Sequence, residues 1–342
     1  MTGAVFSEDE LMRSHPYVQP QVEAGHRLHG GFDAEGRYIP PRLLVRGPAI
    51  EQWTRALRAR GGAPLPADSS LLAGIRYPSA AQQKLLIQEG LGQTFWNTLT
   101  ITGRIEARGR ILAEMEFPDL QRSIVEDISA MGIGHLGKGL LRAHGLDEGG
   151  EPEAGIGGHD VMWFALRDLA FGPVDFPEPE VPEAIGRPES LHQPLPGLSE
   201  GVSRLIDFLA NLLIIEFRAE RGFSMTETLL LDPDLFVERR AQAEHAAEIV
   251  RRIRQDEEVH VRSLRLYLGE LRAVHFRLHS GAQLPGREVV DPLWEGLVRW
   301  ATQDQPKLAA EQQRQILTQR IAAHPEAERV RRAFDALEGD PS

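Results

Sequence analysis

Cysteine is absent from the 342-residue chain, and several kinds of chemistry are excluded with it. Without cysteine there is no disulfide framework, no thiolate nucleophile and no thiolate ligation of an iron–sulfur cluster. The same absence disfavours a structural zinc site, because such sites are built mainly from Cys and His.

Positive charge and long apolar runs are also scarce. The chain has 38 Lys and Arg residues against 50 Asp and Glu residues, a formal net charge of −12, and no long basic run. Nucleic acid and anionic membrane surfaces are therefore not expected as partners. The most apolar segment, Leu205 to Phe217, is too short to span a bilayer. The N-terminus, MTGAVFSEDE, is acidic where a secretory signal is basic and then apolar. We expect a cytoplasmic protein.

Alternating strand patterns are almost missing, whereas apolar residues at helical spacing recur along the chain, so we expect an all-α fold. A hydrophobic content of 42% is enough for a full core. The predicted organisation is an irregular N-terminal arm at 1–78 with one short helix at Pro48–Arg60, a first helical half at 79–172, a Pro-rich linker at 173–198, a second helical half at 199–280 and C-terminal helices at 281–342.

The most informative stretch is 246–271, AAEIVRRIRQDEEVHVRSLRLYLGEL. Its spacing predicts a long helix with an inward stripe, in which Glu257 and His260 interrupt apolar positions. The stripe consists of Ile249, Ile253, Glu257, His260, Leu264, Leu268 (or Tyr267) and Leu271. Burying an unpaired charge costs several kcal/mol, so such residues are normally paired, neutralised or bound to a cation.

Glu-x-x-His occurs three times in the sequence, and the context separates the three copies. Glu23/His26 and Glu189/His192 lie in Gly- or Pro-rich stretches, so we expect them in loops. Only the third copy, Glu257/His260, lies on an amphipathic helix. For that pair alone, an internal ion pair explains the pattern about as well as a metal site does.

Other inward polar residues favour a metal site. Glu216 and Glu220 share one face of the helix predicted from 198 onward. A helix predicted from Leu120 to about His144 places His135 inward, and the next places His159 inward. Glu106 lies on a long helical pattern at 79–117. Carboxylates and imidazoles that converge from several helices are hard to neutralise pairwise, whereas two divalent cations would neutralise them.

On these residues the chain resembles the ferritin-like dimetal-carboxylate superfamily, which includes diiron oxygenases and oxidases. That family uses Glu, Glu-x-x-His, Glu and Glu-x-x-His on four successive helices. Glu216 matches the third helix and Glu257/His260 match the fourth. Glu106 and His135 stand for the first two helices, although Gly132 replaces the expected Glu three residues before His135. The heme-oxygenase-like diiron oxidases use a comparable Glu/His set on seven helices and are a related possibility.

The resemblance implies a ferritin-like helical bundle and a non-heme dimetal oxidoreductase. It would use two ions, iron in the first place with Mn or Zn as alternatives, to activate O₂ and oxidise a small organic substrate, with electrons from an unidentified donor. The implied metal ligands are Glu106, His135, His159, Glu216, Glu220, Glu257 and His260. The C-terminal helices could mediate a homodimer.

Two alternatives belong to other classes of protein. One is a non-catalytic helical scaffold or partner-binding protein, in which the inward Glu and His residues form only ion pairs. The other is a phosphate-loop nucleotide binder at 132–139, GIGHLGKG, which fits part of a Walker A motif. The second is disfavoured because Glu126 and Asp127 interrupt the strand that should precede such a loop, and Gly139 stands where Ser or Thr would hold Mg²⁺.

Overall fold

The computed structural model describes residues 4–74, 76–183, 185–188, 191 and 194–337, and over these the all-α prediction is confirmed. The α-helices are α1 (Glu8–Leu11), α2 (Leu43–Ala59), α3 (Ala80–Gln88), α4 (Gln93–Gly109), α5 (Leu120–Ser123), α6 (Leu141–Gly149), α7 (His159–Phe171), α8 (Glu200–Leu231), α9 (Arg240–Ala273), α10 (Gly286–Arg299), α11 (Gln305–Ala322) and α12 (Ala327–Ala336).

The strands form small antiparallel pairs outside the helical core. They are β1 (Val22–Glu23) with β2 (His26–Arg27), β3 (Gly31–Phe32) with β4 (Tyr38–Ile39), and β5 (His275–Arg277) with β6 (Gln283–Pro285).

Two long helices, α8 and α9, organise the fold, and α4, α6 and α7 pack beside them. Ser199 caps α8 by accepting a hydrogen bond from Val202 N, and the helix then runs for 32 residues. Apolar side chains along both helices form two separate clusters. One cluster ends at Phe217 on α8 and resumes at Val259 on α9, and the other takes in Phe223 and Ile253. Buried polar residues occupy the boundary between the clusters, on both helices.

The N-terminal arm has more structure than its composition predicts. The helix expected at Pro48–Arg60 begins earlier, as α2, and carries the buried Arg46 in its first turns. Arg42, which precedes α2, is also buried. Both guanidinium groups contact the fully buried Asp147 of α6, so the arm is fastened to the helical core by charge.

The two long helices predicted in the first half are each interrupted in the structure, so the prediction of continuous helices is wrong. The pattern at 79–117 is divided between α3, α4 and a 3₁₀ turn at Arg110–Ala113. The helix predicted from Leu120 to about His144 is replaced by the short α5, a 3₁₀ turn at Gly132–His135 and a π-type turn at Leu136–Leu140, before α6 begins. The chain leaves the helix at Ile124, whose backbone is extended, and Gly139, with a φ of 101°, separates the last irregular turn from α6.

Among the described residues, no helix combines the length and the apolar character that crossing a membrane requires.

Candidate metal centre

Seven acidic and imidazole side chains from five helices meet at the boundary between the two apolar clusters. They form two groups whose potential ligand atoms lie within 4.8 Å of one another, namely His144, Glu148, Glu216 and His260, and Glu106, Glu148, His159 and Glu257. Glu106 is half-buried, and the other six side chains are buried. Glu148 belongs to both groups, so the two groups are joined.

Glu148 and Glu257 each direct one oxygen to each group. Oε2 of Glu257 lies 2.9 Å from Nδ1 of His260, and Oε1 lies 3.2 Å from Nδ1 of His159. Oε1 of Glu148 lies 3.1 Å from Nδ1 of His260, and Oε2 lies 3.6 Å from Nδ1 of His159. Two carboxylates that span the same pair of positions have the arrangement of bridging ligands in a two-metal site.

The terminal members complete the groups at similar spacings. Nε2 of His144 lies 2.9 Å from Oε1 of Glu216 and 3.3 Å from Oε1 of Glu148. Ligands about 2.1 Å from one ion lie roughly 3.0–3.5 Å from each other in octahedral or tetrahedral geometry. The spacings in the cluster fit side chains that share a cation.

Asp147 orients His260 from outside the cluster. Nε2 of His260 lies 3.2 Å from Oδ2 of Asp147. Since an ionised carboxylate only accepts hydrogen bonds, Nε2 carries the proton and Nδ1 faces Glu257 and Glu148. Arg46 donates to the same Asp147 oxygen at 2.7 Å, and Arg42 donates to the other. A carboxylate on the distal nitrogen fixes the tautomer and orientation of a metal-ligating histidine.

Asp256 holds His159 in the same way. Nε2 of His159 lies 3.2 Å from Oδ2 of Asp256, so its Nδ1 faces the cluster. The same oxygen accepts from Tyr38 Oη at 2.9 Å and lies 3.0 Å from Nε2 of His29. Potential ligand atoms of His29, His159 and Asp256 also lie within 4.8 Å of one another, so these residues form a third possible metal group. We assign them to this outer hydrogen-bond network, because His159 then keeps Nδ1 for the central cluster.

Four potential ligand atoms of the cluster are buried and form no well-aligned hydrogen bond, although charged atoms lie near them. They are Nε2 of His144, Oε1 of Glu148, Nδ1 of His159 and Oε1 of Glu257. A buried polar atom without a partner costs about 1–3 kcal/mol. Four such atoms around one point are accounted for if cations bind there, so the residues present fit a dimetal group.

The carboxyl pKa values divide the acids into two pairs. Burial, with repulsion from Glu148, raises the pKa of Glu106 well above its usual range. Burial and repulsion from Glu257 do the same to the pKa of Glu216. Burial also opposes ionisation of Glu148 and Glu257, but hydrogen bonds and the neighbouring histidines outweigh it. They hold the pKa of Glu148 well below normal and that of Glu257 at about 2.

The histidines complete the charge balance. Burial opposes protonation of His159 and His260, yet the charges of Glu148 and Glu257 raise both pKa values well above normal. Burial, with His260 nearby, lowers the pKa of His144. These shifts favour ionised Glu148 and Glu257 beside protonated His159 and His260, and they favour the protonated forms of Glu106 and Glu216. Two divalent cations would displace these four protons and face four carboxylates, again with zero net charge.

Two glycines permit the close packing that forms the cluster. A Cβ at Gly109, the last residue of α4, would lie 2.6 Å from Cγ of Glu148. A Cβ at Gly158, directly before α7, would lie 2.7 Å from the backbone oxygens of Asp147 and Glu148. Side chains at either position would push α4 or α7 away from α6, so the glycines keep Glu106 and His159 beside Glu148.

Five of the seven ligands predicted from sequence meet here: Glu106, His159, Glu216, Glu257 and His260. His135 does not, although it is fully buried. Its Nδ1 lies 2.7 Å from Met131 O, its Nε2 accepts from Phe6 N at 3.1 Å, and its ring packs 4.8 Å from that of Trp53. One ring nitrogen is therefore used by Met131 O and the other by Phe6 of the N-terminal arm, and, contrary to the prediction, the structure does not place His135 in the cluster.

Glu220 also lies outside the groups identified among the described residues, and its side chain is half-exposed. Glu220 lies one helical turn after Glu216 on α8. The loop expected at Glu23/His26 is instead a short hairpin, in which Glu23 of β1 lies opposite the exposed His26 of β2. His29 is buried against Asp256 because the arm folds back onto α9. Glu189 and His192 lie outside the described residues.

Sequence reasoning missed His144, Glu148 and the outer carboxylates. The signal that could have found them is a His-x-x-x-Glu pair, His144/Glu148, whose spacing puts both side chains on one helical face. A second signal is the Asp-Glu dipeptide, which occurs as Asp9-Glu10, Asp147-Glu148 and Asp256-Glu257. In the last two the Glu enters the cluster and the Asp holds a histidine from outside.

The glycine-rich stretch at 132–139 does not have the form of a phosphate-binding loop. The preceding residues, from Ile124 to Met131, form no strand element among the described residues. Gly132 N and Ile133 N donate to the two carboxylate oxygens of Glu270 at 3.2 and 2.9 Å. The amides that would receive a phosphate are occupied by a carboxylate of this chain.

Comparisons with known proteins add no identification. No protein-family model matches the chain, and no significant match was found among curated proteins or among solved structures.

Proposed function

We propose that the protein is a non-heme dimetal oxidoreductase that activates O₂ to oxidise a small organic substrate. The observation that carries the proposal is the position of Glu148 and Glu257, each with one oxygen toward His260 and the other toward His159. Around them stand two further carboxylates and a third histidine.

The donor set supports redox-active metals. Three histidines and four glutamates, without sulfur, suit Fe or Mn, and Zn is also compatible with them. Burial of the cluster favours oxidation over hydrolysis, because bulk water is kept from the metals while O₂, a small apolar molecule, can enter a protein interior. When bound, the metals supply electrons to O₂.

The chain itself supplies geometry and insulation. Asp147 and Asp256 fix the rings of His260 and His159, and each is held in turn by donors from the N-terminal arm. The protons on Glu106, Glu216, His159 and His260 leave as metal binds, and all four groups then act as neutral or anionic donors.

The first experiment is a metal assay on protein purified after iron-supplemented growth. We expect about two iron ions per chain in the wild type and in Glu220→Gln, and fewer in Glu216→Gln, which removes a carboxylate one turn away on the same helix. A helical scaffold with internal ion pairs would give a different result. Its wild type would contain no iron, manganese or zinc, and chelators would not change its melting temperature. That result would overturn the proposal.

The second experiment tests the reaction with O₂. Iron-loaded protein is reduced without air, transferred to air-saturated buffer and followed with an oxygen electrode. We expect uptake by the wild type and uptake at the rate of buffer alone in Glu148→Gln. If the iron-loaded wild type consumes no O₂, the proposed metal site stands but the proposed oxidase or oxygenase activity is excluded.

A further inference from the structure

A cavity of about 530 Å³ lies beside the first half of α8. Its size is within the range of small-molecule binding pockets. Three segments line it, and it is half open to solvent: Met115–Pro118, Gly186–Arg187 and the α8 face between Gly201 and Ile215. None of the seven cluster residues lines the cavity, so the proposed dimetal chemistry does not by itself explain it.

The cavity follows α8 toward Glu216. Leu212, one of its lining residues, lies four positions before Glu216 and therefore on the same helical face, about 6 Å away along the axis. Ile215, the last lining residue on α8, is the neighbour of Glu216 in sequence. The wall of the cavity thus ends at the helical turn that carries a proposed metal ligand.

The opposite wall is also continuous with ligand-bearing elements. Met115 follows the 3₁₀ turn at Arg110–Ala113, which directly extends the Glu106 helix, α4. This turn packs on α6, where a Cβ at Gly145 would lie 2.5 Å from Ala113 N. Gly145 is the neighbour of His144, and Nε2 of His144 lies 2.9 Å from Glu216. The Met115 wall is therefore linked to the His144–Glu216 side of the cluster by chain connectivity and by the packing of this turn on α6.

The lining is chiefly apolar, and its cations are already paired. The apolar residues are Met115, Phe117, Leu205, Phe208, Leu212 and Ile215. Arg187 forms an ion pair with Asp207, and Arg204 pairs with Glu200 at 2.8 Å. Asn211 accepts from Arg187 N at 2.9 Å and donates to Asp207 at 3.2 Å. A ligand would meet hydrocarbon surface, and a charged ligand would have to break these pairs to be neutralised.

We infer that this cavity is the substrate pocket of the proposed dimetal centre and that it takes an uncharged, predominantly hydrocarbon molecule. The inference rests on the proposed function, to which it adds the substrate class and the direction of approach. Substrate bound along Leu212 and Ile215 would reach the centre from the side of His144 and Glu216.

The first test uses N-phenyl-1-naphthylamine, an uncharged fluorescent probe, with the full-length metal-loaded protein. We expect saturable binding that Leu212→Trp weakens at least about tenfold, because the larger side chain fills the pocket. Leu231→Trp is the matched control, since it makes the same exchange at a partly exposed position at the other end of α8. Equal binding by both variants, or no binding by the wild type, would overturn the inference. Melting temperature and metal content establish beforehand that both variants are folded and loaded.

The second test asks whether the pocket adjoins the metals. The ¹⁹F signal of 4-fluorobiphenyl should broaden with Mn²⁺-loaded protein and stay sharp with Zn²⁺-loaded protein, because only Mn²⁺ relaxes a nearby nucleus. Broadening that Leu212→Trp abolishes supports the inference, and equal line widths for a bound probe would overturn it. Failure of the proposed function is read separately, from a wild-type metal content near zero before any probe is added.

Discussion

The two sides of the cluster are built differently. Glu216, Glu257 and His260 come from α8 and α9, which run without interruption for 32 and 34 residues. The residues of the other side come from α4, α6 and α7, of which α6 has only nine residues. Long regular helices place their residues by spacing alone. Short helices joined by glycine-rich turns place them by tertiary packing.

The contrast is clearest in two buried histidines, His260 and His135. Both interrupt apolar patterns, and both are almost fully buried. The pattern around His260 belongs to one real helix, whereas the pattern around His135 crosses α5 and two irregular turns. An inward position therefore predicts burial in both cases but a ligand in only one.

The largest expected effect on metal binding follows from removing Glu148 or Glu257, the carboxylates that join the two ligand groups. Glu148→Gln and Glu257→Gln should each reduce metal content from about two ions per chain to near zero, because each carboxylate is shared by both positions. The measurement is elemental analysis of purified protein. Glu153→Gln and Glu258→Gln are exposed controls and should retain both ions. A variant of Glu148 that binds two ions normally would remove this residue from the site.

His144 and His135 give the sharpest test of the irregular side. His144→Ala should lose about one ion per chain, since one of the terminal ligands is removed. His135→Ala should retain both ions but lower the free energy of unfolding by about 2–4 kcal/mol, because it leaves a cavity and an unpaired Phe6 N–H. Metal analysis and urea unfolding distinguish these effects. Metal loss from His135→Ala in folded protein would restore its predicted role.

Each side should also release protons as metal binds. Glu106 and His159 on one side, and Glu216 and His260 on the other, have raised pKa values and hold protons that divalent cations must displace. Below these pKa values, the affinity for each ion should fall by roughly 100-fold for every unit of pH decrease, two protons being released per ion. Metal titration at several pH values measures the slope, and an affinity independent of pH would contradict the assigned protonation.

The outer carboxylates should have a smaller effect, similar on the two sides. Asp147→Asn and Asp256→Asn preserve the shape of the side chains but remove the negative charge that orients His260 and His159. We expect each to weaken metal binding by about 10- to 100-fold. Asp147→Asn should also lower the stability of the fold, because the buried Arg42 and Arg46 lose the charge of Asp147. Competition with a chelator of known affinity gives the constants. If both variants bind metal with wild-type affinity, Asp147 and Asp256 do not orient the metal-binding histidines and act only in packing.

The last expected effect is on stability and not on metal binding, and it concerns Glu270 of α9, which holds the Gly132–Ile133 turn of the irregular side. Burial raises the pKa of Glu270 to about 7, so its ionisation costs stability as the pH rises from about 4.5 to 7. Glu270→Gln should remove this cost, and its stability relative to wild type should improve by roughly 2–3 kcal/mol between pH 5 and 8. Urea unfolding of both proteins at the two pH values tests the sign, and a difference that stays constant would contradict the shift.

Helical periodicity predicted the all-α fold and the residues on α8 and α9, because burial along a regular helix repeats at fixed spacing. It also placed Glu106 and His159 correctly, each inside a real helix. It failed for His135 because the chain leaves the helix at Ile124, before His135, and it missed His144 and Glu148 because α6 starts only beyond the non-helical Gly139. The burial of His29 depends on the fold-back of the arm onto α9, which no local pattern encodes.

The most direct measurement is X-ray diffraction from crystals of iron-loaded protein, recorded at the iron absorption edge. We predict two anomalous peaks about 3.5–4 Å apart, both between Glu148 and Glu257, with His144 and His260 at one and His159 at the other. A loaded crystal with no peak there, or with a single peak at His29 and Asp256, would contradict this prediction.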